Sequence, residues 1–388
     1  MKKKFIALFM ILVLGLTCFT ACGDKDEDKD SSKKKSAKSY ETVYDIADEI
    51  QKFKKGTVVM TLDADAGESG IVKGTLNAVC DGKGNYKIGI AADFNTKDMK
   101  INVSADDVII IKDKMAYINL GEILKVADAA AGQGISDMFA NMKLGYFAIP
   151  LPDDFDTEDA LNVISTFTSG STDFLKKALK DAEVTGEKGD FTIKFANAQA
   201  YKTFIGATAD YVDEKTPELT KSFSAENLSK IDFNAYVKKL LDYYGEDINI
   251  LAGALGLEQA QVDAILQQVK AMDLNSKAKE ALNSEFDVNE LAGTVKEVTD
   301  EIRKKSAEIT DEQLKDSSLE LTVKATDTGF KIKGNALVKA NGQEVRGDYS
   351  IRISDDVSSI SAPTEITRLR DFKDILANLG GMLGGMMK

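Results

Sequence analysis

Few residues in this 388-residue chain could carry chemistry. There is no histidine, and there are three cysteines, at positions 18, 22 and 80. Without histidine, the Ser-His-Asp and Cys-His arrangements and the zincin motifs are excluded. The chain has no G-x-S-x-G, no phosphate loop, no G-x-G-x-x-G after a strand and no Ser-x-x-Lys in a penicillin-binding setting. Carboxylates and lysines remain. Two acidic groups, Asp63-Asp65-Glu68 and Asp153-Asp154-Asp156-Glu158-Asp159, have the donor type that calcium favours. Neither follows the D-x-[DN]-x-[DN]-G loop, and turn and helix-start chemistry accounts for both. Sugar-cleaving carboxylate pairs usually sit among aromatic platforms, and this chain has no tryptophan. We expect no catalytic residues, no metal and no cofactor.

Cys22 is the residue whose surroundings suggest a reaction. Lys2, Lys3 and Lys4 precede an apolar run from Phe5 to Leu16, and Ala21 stands just before Cys22. A basic start, an apolar stretch and small residues before a cleavage point make an export signal. The stretch is too short for a spanning helix. A cysteine directly after a small residue resembles a lipobox, with Phe19 where Leu is commonest. The resemblance implies a bacterial lipoprotein: a diacylglyceryl group on the Cys22 thiol, cleavage in front of it, and fatty acyl chains such as palmitate in the anchor. Cys18 is the alternative attachment point. Residues 1–21 are then a signal peptide.

Residues 22–39 continue with DKDEDKDSSKKKSAKS after Gly23, where Ala37 is the lone apolar side chain. Such a segment cannot bury enough surface to fold. It suits a lipidated, disordered tether between membrane and body. Two or more acyl chains hold firmly, because each buried methylene contributes about 0.8 kcal/mol. The expected location is the extracytoplasmic face of a cell membrane. A Gram-positive surface and a periplasmic leaflet both stay open, and the Lys/Asp-rich tether leans toward the first.

The formal net charge is −13, and loss of three lysines with the signal brings it near −16. Nucleic-acid binding needs clustered cations, and in so acidic a chain a run as short as Lys33-Lys34-Lys35 does not supply them, so no nucleic-acid partner is expected. Cys80 is left alone in the body, in alternation with Leu76 and Ala78, which reads as packing.

The elements follow from periodicity. Val43, Ile46, Ala47, Ile50 and Phe53 give an amphipathic helix. Strands follow around Val58–Ala64, Thr75–Cys80 and Tyr86–Phe94. A short strand holds Ile101 and Val103, and a hairpin turns at Lys112-Asp113-Lys114. Glu122–Met142 reads as helix. Thr157 caps another, and Phe174–Leu179 is a further helical turn. Phe191, Ile193 and Phe195 make a short strand. Residues 197–314 read as almost all helix. Within them Asp232 is an N-cap, Gly245 a stop, and Val262-Ile265-Leu266-Val269-Met272 a stripe. Strands return at Leu319–Val323, Phe330–Val338 and Tyr349–Ile353, with Asn341-Gly342 as a hairpin turn. A last helix starts near Phe372, and the Gly/Met tail frays. The domain expectation is 40–196 as helix plus meander, 197–314 as helical insertion, 315–366 as closing strands, and 367–388 as C-terminal helix and tail.

Two short motifs, Lys114-Met-Ala-Tyr-Ile-Asn-Leu120 and Ile360-Ser-Ala-Pro363, resemble those of LolA-like and LppX-like envelope lipoproteins. The likeness covers residues 40–120 and 318–366. It implies an α+β fold: a curved antiparallel, half-barrel-like sheet covered by helices, with a large helical insertion. It also implies a pocket for an apolar ligand on the concave face, lined by Met60, Ile90, Val103 and Tyr117. Three roles stay open. The first is a non-catalytic lipid binder or carrier. The second is a structural or adhesion-type surface protein with a filled core that recognises protein partners. The third is a carboxylate or lysine enzyme.

Overall fold

The computed structural model describes residues 40–53, 55–65, 70–96, 100–131, 144–153, 170–222, 231–285, 288–340 and 343–373. The signal peptide, Cys22, the tether, Thr157, the Asn341-Gly342 turn and the C-terminal tail lie outside them. The chain divides into two compact units. The first comprises Met1–Asp106, Thr157–Phe223 and Val288–Ser359; the second comprises Asp107–Asp156, Ser224–Asp287 and Ile360–Lys388. The helical stretch 197–314 is therefore shared between the two rather than forming one inserted body.

The first unit opens with helix α1 (Val43–Ile50). Thr42 caps it: its hydroxyl accepts from the Asp45 amide, and the Asp45 carboxylate accepts from the Thr42 amide. Such a reciprocal cap satisfies two amides the helix cannot. Strands β1 (Gly56–Asp65), β2 (Gly70–Cys80) and β3 (Tyr86–Thr96) follow as an antiparallel meander. Further on come helix α3 (Ser171–Ala178), strands β7 (Glu183–Glu187) and β8 (Asp190–Lys194), and helix α4 (Ala198–Ser222). Helix α8 (Val288–Ala307), the short α9 (Asp311–Leu314), and strands β9 (Ser318–Thr326), β10 (Gly329–Ala340) and β11 (Gln343–Ser354) complete it. β1 pairs with β11, so the C-terminal strands extend the N-terminal meander. Val212 on α4 packs with Val295 and Val298 on α8. Arg303 of α8 ties the same helices together through Asp210 and Asp213, at 2.9 and 2.5 Å.

The second unit holds strands β5 (Met115–Asn119), β6 (Tyr146–Pro150) and β12 (Ile366–Thr367), with helices α2 (Leu120–Ala131), α5 (Phe233–Ala254), α6 (Gln259–Ala271) and α7 (Leu274–Glu285). A 3-10 turn spans Leu369–Phe372, where the sequence suggests the start of a helix. Strand β4 (Lys100–Lys112) crosses the boundary between the units. The β4–β5 hairpin turns at Asp113 and Lys114, both at positive φ (51° and 59°), as a two-residue turn with the strands' own twist requires.

Among the described residues the sheet has 12 strands in the order β12-β6-β5-β4-β3-β2-β1-β11-β10-β9-β8-β7, and it is not closed. The expected antiparallel sheet is mixed, because β12 runs parallel to β6. Three local expectations are also corrected. Ile101 and Val103 do not form a separate strand, because no Gly or Pro interrupts the chain before Val108 and β4 runs through. β7 was not legible, since all five of its residues are exposed and carry no apolar alternation. Gly245 does not stop α5. The residues beside it are anchored too strongly: Tyr244 stacks on Phe147 at 5.7 Å and donates to the Ala148 carbonyl. Asp247, fully buried, accepts from Arg368 at 3.0 Å and Arg370 at 2.8 Å. Those contacts outweigh the ~1 kcal/mol that a mid-helix glycine costs.

Candidate ligand-binding face

Cross-strand register assembles side chains into rows on one face of a sheet. One row in the first unit runs Phe191 (β8), Val323 (β9), Ile332 (β10), Ile351 (β11), Met60 (β1), Leu76 (β2), Ile90 (β3). The first four are 0–2% exposed, Met60 and Leu76 are half-buried, and Ile90 is 38% exposed. The neighbouring rows behave alike: Ile193 and Leu321 are buried, whereas Leu62 on β1 and Ile88 on β3 are half-buried.

Helix placement explains the gradient. Val43, Ile46 and Ile50 of α1, Phe174 and Leu175 of α3, and Tyr201 and Tyr211 of α4 form one core with the inward side chains of β8–β11. Val58, Met60 and Tyr349 lie at its margin. Beyond that margin, β1, β2 and β3 carry the same apolar alternation, and among the described residues from Leu62 to Ile90 no large side chain on this face is fully buried. Tyr349 turns away from this stretch. Its ring lies across Gly334 of β10, where an added Cβ would meet the ring at 2.0 Å.

The opposite face of the same strands is polar around Thr61 and Asp63, although Val79 of β2 is buried on it. Thr61 shares a row with Ser350, and their hydroxyls are 2.8 Å apart. Asp63 opposes Lys73, with a 2.8 Å ion pair. A groove of about 520 Å³ lies here and takes its polar lining from Lys73, Lys333, Asp63 and Asp348. It suits a polar ligand, not an acyl chain.

Of the residues the sequence nominates, Met60 and Ile90 are brought onto one row, with Leu76 between them. Val103 lies on β4, and its side chain falls outside the described residues. Tyr117 belongs to the second unit, on β5 opposite Ile110 and Ala148. It is half-buried there, and burial raises its phenol above the usual range. The nominations omitted Leu62, Leu76 and Ile88. Their alternation marks the face, but not which strands the helices leave open.

Cys80 ends β2 with its thiol held above the ordinary range by burial. Among the described residues there is no group of three or more acidic or cysteine side chains placed to hold a metal, and no helix is long and apolar enough to cross a membrane.

No protein-family model, no curated protein and no solved structure matches this chain.

Proposed function

We propose that the protein is an extracytoplasmic lipoprotein, held at a membrane by lipid on Cys22, that binds or carries a lipid or other apolar ligand without catalysis. The ligand lies on the apolar face of β1, β2 and β3, the sheet curving so that this face is concave. The observation that carries the reading is the row from Ile351 to Ile90, continuous in chemistry and interrupted in cover. Fully burying such a side chain contributes about 1.5–3 kcal/mol; Leu62 and Leu76 are already half-buried, so an acyl chain across them and Ile90 gains a part of that from each. Two measurements test the two halves. Intact mass of the membrane-extracted protein reports diacylglyceryl modification of Cys22. Titration with a fluorescent fatty acid reports ligand uptake. An unmodified cysteine removes the anchor, and a flat titration removes the carrier.

One observation favours a second reading, a surface protein that recognises protein partners. At α6, Ile265 and Met272 of the apolar stripe are 49% and 40% exposed, and Leu255 and Leu257 just before the helix are 47% and 38% exposed. On that reading acyl ligands do not bind, and Ile265→Ser removes a protein contact instead.

A further inference from the structure

The polar face of the first unit contains one row unlike the rest. Lys324 (β9) stands directly opposite Lys331 (β10), and Lys331 opposite Arg352 (β11). Lys333 follows on the same face of β10. All four are exposed. Like charges directly opposed across strands are destabilising. Elsewhere on this face such charges are compensated. Asp63 and Asp348 also oppose one another, but Asp63 pairs with Lys73 and Asp348 accepts from Asn335. Lys194 pairs with Glu320, and Lys339 with Glu344. In the cationic row Lys324 pairs with Asp190 at 2.7 Å, while Lys331, Lys333 and Arg352 make no ion pair among the described residues. The diagonal neighbours of Lys331 are hydroxyls, Thr322, Thr326, Ser350 and Ser354; Lys333 lies diagonal to Glu320 and Asp348, which are engaged by Lys194 and Asn335, and Arg352 stands opposite Val59. In a chain of net charge −13, the sheet places its cations where they repel one another.

We propose that this row docks on anionic phospholipid headgroups and orients the body on the bilayer; the choice of bilayer rests on the lipid-anchor reading. Strands lie about 4.8 Å apart, so Lys324 to Arg352 span about 10 Å, a spacing that several headgroup phosphates can meet at once. The described chain begins on the other, core-facing side of these strands, where the Tyr40 ring packs edge-on against the buried Phe330 at 5.5 Å. The 18 links from Cys22 to Tyr40 reach at most about 65 Å, enough for the tether to pass around the sheet and let this row meet the membrane that holds the anchor. At physiological salt the screening length is about 8 Å, so acidic surface elsewhere on the chain does little to oppose this local attraction.

The test uses the full lipidated protein on vesicles of phosphatidylcholine alone or mixed with phosphatidylglycerol. Flotation with the neutral vesicles reports the anchor by itself. Amine-reactive labelling, read by mass spectrometry, reports the face. Lys324, Lys331 and Lys333 should be protected on the mixed vesicles and not on neutral ones. Protection should vanish at high salt, and Lys176 and Lys177 of α3 should label equally throughout. Replacing Lys331, Lys333 and Arg352 by Gln should weaken the headgroup attraction about fivefold per charge and abolish protection of Lys324. Flotation on neutral vesicles with equal labelling on both overturns the docking face and leaves the anchor. Failure to float on neutral vesicles, with flotation and protection on mixed ones, supports the face and removes the anchor. No flotation on either overturns both.

Discussion

Ile351 and Ile90 occupy the same row of the sheet, three strands apart, and meet opposite environments: Ile351 is 1% exposed and Ile90 38%. Two isoleucines of one face thus do different work. Ile351→Ala should cost about 2–5 kcal/mol of unfolding free energy, as for buried large-to-small changes. Ile90→Ala should cost under about 1 kcal/mol and weaken binding of apolar ligands. Urea unfolding and a fatty-acid titration on the same variants separate the two effects.

This difference also marks where the sequence stops being legible. Alternation of Val58, Met60, Leu62 and Ala64 gives β1 and its apolar face directly, and the spacing of Val43, Ile46, Ala47 and Ile50 gives the first helix. Cover is another matter. It depends on α1, α3 and α4 reaching β8–β11, which pairing between residues hundreds of positions apart decides. β7 and the parallel β12 carry no local signal, and Gly245 misleads because its helix is held by Arg368 and Arg370 from far along the chain.

The Asp247 cluster should behave as a buried charge with two guarantors. Replacing Arg368 and Arg370 together by Ala strands the carboxylate, and we expect a loss of about 3–5 kcal/mol. Asp247→Asn leaves both arginines, each about one-third exposed, free to turn to water, and should cost less. Hydrogen exchange across α5 reports both.

The first helix cap has a pH signature. Amides of Thr42 and Glu41 donate to the Asp45 carboxylate, and the hydrogen bonds with Thr42 hold its pKa below the usual range. A lowered folded-state pKa stabilises fully above the unfolded value of about 3.9 and is lost as pH falls through the folded value. Wild type and Asp45→Ala should differ by up to about 1 kcal/mol near neutrality. The gap should narrow as pH falls below about 3.9. A constant gap in unfolding experiments down to that range would contradict this.

Burial holds the Cys80 thiol in its protonated form. Alkylation by iodoacetamide at mildly alkaline pH should be at least about tenfold slower in the native protein than in urea, because the thiolate is the nucleophile. Equal rates would place Cys80 in an open site.

The central claim is that the open stretch of the apolar face holds a ligand. Native mass spectrometry of the protein from a bacterial host, before and after organic extraction, tests it most directly, with Ile90→Asp alongside. A stoichiometric lipid that leaves on extraction, rebinds on addition and is missing from Ile90→Asp is the predicted result. A bare protein mass that takes up neither fatty acid nor phospholipid would contradict it.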